Sequence, residues 1–302
     1  MDNQQGDTVP VVHPKLRSRT CYHIYEVEPG LFTPGQQVTV NPKLSLDDLG
    51  IPQDLSGLRA LDIGAWDGPY TFELERRGAQ VTALDIQDPD VTVFNAVKEI
   101  KHSSARHVRG SIYDALPENV GLYDIVLFAG VYYHLKNPML ALQRIRRLLT
   151  DEGVLFIEGA SSTDYLAGQL SEALGLPKSE EMTEILDRLP LAYFDFEDKI
   201  YTWQSWFFPT TRCLEAMLLD SGFQNVVCEL RLNATGIRRH RRLNGRAEAN
   251  PAKSDPGEQK HEHTVAPTGW GKISLSRRLL WRLPPSVQQV ARRARRAVLA
   301  RL

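Results

Sequence analysis

Short apolar runs and amphipathic stretches alternate along residues 58–157. Residues 59–63 (RALDI) form an apolar run closed by Gly64, the pattern of a strand buried on both faces. Residues 69–77 read as a helix, with Pro69 at its start and Gly78 as its stop. The next strand is 80–84, ending at Asp85; 91–100 is helical, 107–109 a short strand, and 125–129 (IVLFA) a strongly apolar one. Over 139–149 apolar residues recur at Leu140, Leu142, Ile145, Leu148 and Leu149, while Arg144, Arg146 and Arg147 mark the opposite face. Gly153 ends that unit, and 154–157 is the following strand. Strand and helix in strict alternation predict a parallel sheet covered on both faces.

After Glu158 the alternation stops. Residues 164–174 and 180–189 read as helices, 193–208 are dense in aromatic residues, and 210–221 return to a helix closed by Gly222. A strand at 225–230 and a weaker one near 242–249 complete the pattern. The expected fold is therefore α/β: a doubly wound, mostly parallel seven-stranded sheet over residues 58–250, with a helical and aromatic insertion at 159–209. Residues 21–57 are rich in Pro and Gly, with a β-prone stretch at 37–40 and a short helix at 46–50, and read as a cover segment. Residues 1–20 read as a flexible terminus and 251–269 as a polar linker.

The formal net charge of −1 hides two unlike parts. Residues 270–302 hold nine Lys and Arg and no acid; residues 1–269 hold 27 basic and 37 acidic residues, a net of −10. Within the tail, Ser286 reads as an N-cap, and Val287, Val290, Ala291, Ala294 and Val298 follow helical spacing among arginines. Such a basic amphipathic helix suits peripheral contact with an anionic membrane or nucleic-acid phosphate. Leu279, Leu280, Trp281 and Leu283 favour the membrane. An acidic body argues against RNA as the main ligand, since RNA binding shows a broad basic face. No uninterrupted apolar run reaches the ~18 residues of a spanning helix, and residues 1–7 lack the apolar core of a secretory signal. Three widely spaced cysteines form neither a disulfide framework nor a zinc pattern, and His261 and His263 sit in a polar linker, so no metal is expected. The expected location is cytoplasmic, with possible membrane contact through the tail.

The candidate chemistry centres on Asp62-Ile63-Gly64-Ala65-Trp66-Asp67-Gly68, at a strand-to-helix junction. Glycine there lets backbone approach a ligand, and the N-terminus of the following helix favours a negative group. Asp85 ends the next strand about 20 residues on, where a carboxylate accepts hydrogen bonds from a ribose diol. Together these point to a nucleoside cofactor. Trp66 fills the position where a dinucleotide loop needs its second Gly, which disfavours NAD and FAD. Asp62, two residues before Gly64, is instead the acidic lead of an S-adenosylmethionine (SAM) loop. SAM carries a sulfonium cation where NAD carries pyrophosphate, so carboxylates such as Asp62 or Asp67 suit it.

The Gly-x-Trp-Asp-Gly loop, residues 72–79 (FELERRGA) and residues 130–138 (GVYYHLKNP) resemble the tRNA wobble-uridine 5-oxyacetate methyltransferase-like family, a branch of the class I SAM-dependent methyltransferases. Tyr22-His23 with Thr33-Pro34-Gly35, residues 110–114 (GSIYD) and residues 206–209 extend the resemblance over about 22–249. It implies a Rossmann-like fold and SAM as cofactor. Asp62, Gly64 and Gly68 would hold the methionine end, with Trp66 and Asp67 in the same loop. Asp85 and Ile86 would take the ribose side, Ser111 and Ile112 the adenine edge, and Ala129 the strand end beneath the cofactor. The family's tRNA members use a carboxylated SAM. Tyr133 matches one position that serves the extra carboxylate, whereas Leu135-Lys136 replaces a more basic pair, so ordinary SAM is expected.

Methyl transfer needs alignment of nucleophile, methyl and sulfur, and in some cases a base. His134, just past the fourth strand, is a candidate base or a residue that orients its loop. Glu158, ending the fifth strand, is a second candidate for base or acceptor contact. Tyr133, His23, Trp203 and Trp206 are the expected acceptor contacts, because aromatic rings stack on bases and on sugars alike. The expected reaction is O-methylation of a small molecule or glycan precursor. The alternatives are modification of a tRNA wobble uridine and a non-catalytic SAM-fold binding protein.

Overall fold

A computed structural model describes residues 10–197, 199–200, 204–232 and 241–253. Its centre is one seven-stranded sheet of β1 (Arg59–Ile63), β2 (Gln80–Asp85), β3 (Arg106–Arg109), β4 (Tyr123–Ala129), β5 (Leu149–Ala160), β6 (Phe223–Leu232) and β7 (Arg241–Ala249). The spatial order is β6-β7-β5-β4-β1-β2-β3. Strands β1 to β5 pair in parallel, and β7 runs antiparallel between β5 and β6. The doubly wound, mostly parallel fold read from the alternation is present. The weak strand at 242–249 is a full member, with β5 on one side and β6 on the other.

Both faces of the sheet are covered, as the apolar runs require. In β1, Leu61 and Ile63 face one core while Ala60 faces the other; in β4, Val126 and Phe128 separate from Ile125 and Leu127 in the same way. Helix α4 (Pro138–Leu148) and helix α7 (Thr211–Asp220) close the first face through Leu142, Ile145, Leu214 and Leu218. On the second face lie α1 (Pro42–Asp48), α2 (Pro69–Arg76) and α3 (Phe94–Ile100). Capping follows composition. The Asn137 side chain accepts from Leu140 N–H at 3.2 Å ahead of Pro138, and Thr210 accepts from Cys213 N–H at 3.3 Å.

Several expectations need correction. Gly153 does not end a unit, because β5 runs through it. The register jumps from Tyr123↔Leu149 to Ile125↔Val154, a bulge that absorbs the polar residues 150–153. Arg146 is not on a solvent face. It is 1% exposed, and its guanidinium donates to the carbonyls of Gly222 (3.1 Å) and Asn250 (2.6 Å), tying α4 to the ends of α7 and β7. The expected flexible terminus is held from Val12 onward: Val12 bridges Phe32, and Leu16 is fully buried among Tyr25, Val27 and Phe94. One apolar anchor in a polar stretch is enough to dock it. Between β5 and α7 stand α5 (Thr163–Leu174), α6 (Glu180–Asp187) and a hairpin pairing Ala192–Phe194 with Phe207–Pro209. The basic tail, most of the linker and Trp203 lie outside the described residues.

Candidate active site

The strand order reverses between β1 and β4, and the loops after these two strands meet there, the usual place for a ligand in an open α/β sheet. Gly64 has φ +77° and donates its N–H to Leu84 O at 2.8 Å. A Cβ at Gly64 would overlap Val131, so the glycine admits the β4 loop as well as shaping the β1 loop. Gly68, at φ +87°, is the N-cap of α2, and its bare face is filled by Phe72 and Phe94. What these glycines leave for a ligand is backbone. Trp66 adopts φ +51°, rare for a bulky residue, and its N–H donates to Asp85 Oδ2 at 2.8 Å.

Asp85 is 5% exposed and also accepts from Gln87 N–H at 2.7 Å. A carboxylate has about four lone-pair sites, so two accepted bonds leave capacity for a ribose diol. Ile86, next in line, is 64% exposed, an apolar side chain left for a ring to cover. Ser111 caps the short 3-10 helix Ile112–Asp114 by accepting from Tyr113 N–H at 3.2 Å. The Ile112 side chain lies in the core, so this position offers a base edge only its backbone. Ala129 is half-buried at the end of β4, where Gly130 N–H donates to Glu158 O at 2.9 Å. Asp62 is buried and accepts from the Thr71 hydroxyl at 2.6 Å. Burial, reinforced by nearby Asp85, pushes its carboxyl up to about 7, against the opposing Thr71 hydrogen bond.

On the other side of the switch point, Tyr133 is 6% exposed and stacks on Phe208 at 5.8 Å. His134 is half-buried. Its Nδ1 lies 3.1 Å from the Gln204 carbonyl and 3.3 Å from the Ser205 hydroxyl. A carbonyl can only accept, so a neutral imidazole here would carry its proton on Nδ1. Glu158 and Arg242 form a bidentate ion pair, with Nη2 to Oε2 at 2.9 Å, and the guanidinium lies 5.3 Å from the Tyr133 ring centre. Trp206 N–H donates to Tyr133 O at 2.7 Å, and Lys136 lies over the Trp206 ring at 4.5 Å. The aromatic block thus divides: Phe208 is core and Trp206 lines this side, whereas Phe194 and Phe196 are largely exposed.

Arg242 went unseen in the sequence. Its only signal is register: Arg242 pairs with Ala160, which sets it diagonal to Glu158 on one face of the sheet. His23 packs against the β1 loop, with its ring nitrogen Nδ1 against Asp67. Among the described residues no cluster of three or more His, Cys, Asp and Glu could hold a metal, and no helix is long and apolar enough to cross a membrane.

Residues 61–157 match the family model described as "Methyltransferase domain". A ubiquinone biosynthesis O-methyltransferase of Xanthomonas oryzae pv. oryzae is 29% identical over 158 residues, covering 52% of this chain and 63% of that one. A tRNA U34 carboxymethyltransferase of Desulforapulum autotrophicum is 27% identical over 188 residues, covering 61% and 50% respectively. The chain therefore spans less than two thirds of the length of these curated relatives. Among solved structures, the N-terminal domain of EvdMO1 with SAH bound aligns with a TM-score of 0.51 at 16% identity, over 76% of this chain and 92% of that one; the likeness is one of fold. The residues present fit SAM. Asp85 retains acceptor capacity, Ile86 is bared, and buried Asp62 is a carboxylate that a nearby cation would stabilise.

Proposed function

We propose that the chain is a class I SAM-dependent methyltransferase that methylates a hydroxyl oxygen of a small molecule or glycan precursor, a reading supported by the match of residues 61–157 to a methyltransferase domain. Bound SAM supplies an electrophilic methyl on a sulfonium. Asp85 and Ile86 hold the nucleoside, and the Gly64–Gly68 loop holds the methionine end. His134 Nε2 would take the proton of the acceptor hydroxyl, and the sulfonium would supply the methyl and leave as S-adenosylhomocysteine (SAH). The observation that carries this reading is the His134 Nδ1 contact with the Gln204 carbonyl, which supports the neutral tautomer that a base would require. Glu158, clamped by Arg242, acts as a positioning residue that shapes the acceptor side with Tyr133 and Trp206.

His134→Ala is expected to lower kcat by about 10²–10⁴-fold and leave SAH affinity unchanged. Full turnover in that variant would remove His134 from the base role. A second reading, modification of a wobble uridine, draws support from relatives named tRNA U34 carboxymethyltransferase at 26–28% identity. Wobble nucleosides that are unchanged in a deletion strain would reject it.

A further inference from the structure

Three motifs separated along the chain, Tyr22-His23, Thr33-Pro34-Gly35 and Trp66-Asp67-Gly68, converge on one buried carboxylate. Asp67 is fully buried. Its Oδ2 accepts from His23 N–H at 2.8 Å, its Oδ1 meets His23 Nδ1, and its backbone carbonyl accepts from Tyr25 Oη at 2.5 Å. The strand segment carrying His23 is fixed in turn by the Thr-Pro-Gly motif. The Thr33 hydroxyl donates to His23 O at 2.7 Å and accepts from Tyr25 N–H at 3.0 Å. Gly35 is required because a Cβ there would overlap the His23 carbonyl. Tyr22 braces the arrangement edge-on, 4.8 Å from the His23 ring and 5.9 Å from Trp66.

A fully buried carboxylate is costly unless a cation meets it. Cys21 cannot serve, since burial first and Asp67 second push its thiol up to about 12. The His23 imidazole is the partner in place, bonded to Asp67 through both its backbone N–H and its ring Nδ1. Asp67 engages Nδ1, which leaves Nε2 on a ring whose side chain is still 18% exposed. The pair also stands at a particular place. Asp67 lies in the β1 loop, next to Trp66, whose N–H is bonded to Asp85, so the His23–Asp67 pair borders the loop that would hold the methionine end. His23 is near enough to Asp62 for its charge to favour that carboxylate. Arg242, across the switch point, is engaged by Glu158.

We propose that His23, held in place by Asp67, binds the α-carboxylate of the methionine end of SAM. This assignment rests on the methyltransferase reading and adds a cofactor-binding residue from the N-terminal cover segment. The segment is then part of the cofactor site, and the loop glycines need not supply the carboxylate's counter-charge.

Titration calorimetry on the full chain tests it with three ligands: SAM, decarboxylated SAM, and 5′-methylthioadenosine, which lacks the whole amino-acid end. His23→Ala is expected to weaken SAM about tenfold or more while decarboxylated SAM and 5′-methylthioadenosine stay within twofold of wild type. Asp67→Asn, which keeps shape but removes the counter-ion, is expected to show the same selectivity with a smaller loss. If His23→Ala fails to fold, His23→Gln supports the assignment by the same selective loss. An equal loss for all three ligands, or no loss for SAM in a folded variant, overturns the assignment. Wild-type protein that binds none of the three overturns the methyltransferase reading itself, a result visible before any variant is made.

Discussion

The two sides of the switch point hold their parts by different means. On the cofactor side, backbone does most of the holding: Gly64 and Trp66 at positive φ, and the Trp66 and Gln87 N–H groups on Asp85. Most of its residues, Asp62 to Ile86, lie within or just after one strand-helix-strand unit. On the acceptor side, side chains distant in sequence hold one another. Arg242 reaches Glu158 across 84 residues and Tyr133 across 109, and Trp206 hangs on the Tyr133 carbonyl. A backbone-built site tolerates little substitution and keeps one ligand. A side-chain-built site can be re-lined without disturbing the loop beside it, which suits an acceptor that differs among relatives.

The sharpest way to break this contrast is at Gly64. Gly64→Val meets both the positive φ and Val131, and is expected to weaken SAH binding by more than about 100-fold and to lower stability by about 3 kcal/mol. Calorimetry and denaturant melts read these two effects. A Gly64→Ala, Val131→Ala double variant recovers part of the loss if the overlap is the cause. Little effect of Gly64→Val would mean that the loop is not built by its backbone.

Asp62 gives the next largest effect. Its folded pKa of about 7 lies above the unfolded value near 3.9, so the folded state binds the extra proton between them. The contribution to stability is fully present below about pH 4 and is lost as pH rises through about 7. Asp62→Asn is expected to flatten the stability profile over that window and to gain on wild type above it, by a few kcal/mol at most. Urea melts at several pH values check the sign. A nearby cofactor cation favours the ionised form, so SAM binding near neutral pH is expected to release a proton, read by calorimetry in buffers of different ionisation enthalpy.

Arg242→Met tests the acceptor side. It leaves Glu158 without its bidentate partner and is expected to lower acceptor kcat/KM about 10–30-fold, with SAH affinity within twofold of wild type. A parallel loss of SAH affinity would merge the two sides into one network. The smallest effect is expected from Asn137→Ala, which removes the α4 cap for about 1 kcal/mol of stability and leaves both ligands unaffected.

The same division explains what the sequence disclosed. The β1 loop, Asp85 and the parallel strands follow local rules of period, turn and cap, and these rules place Asp62, Gly64 and Asp85 correctly at strand ends. Arg242 depended on the register of β7 against β5, which no local pattern specifies. Arg146 looked solvent-facing because its partners are two carbonyls over 70 residues away. The bulge at 150–153 hid behind Gly153, and Leu16 behind the polar residues around it. His23 was visible as a motif, but its tie to Asp67 came only from the fold of the cover segment.

The most direct test of the central claim is a thermal melt of the full chain with and without SAH, paired with mass spectrometry of the ligand retained. A SAM site in the β1 loop gives an upward shift in Tm that grows with SAH concentration, competition by SAM, and one nucleoside ligand per chain. No shift with either compound at millimolar concentration, and none retained, would contradict it.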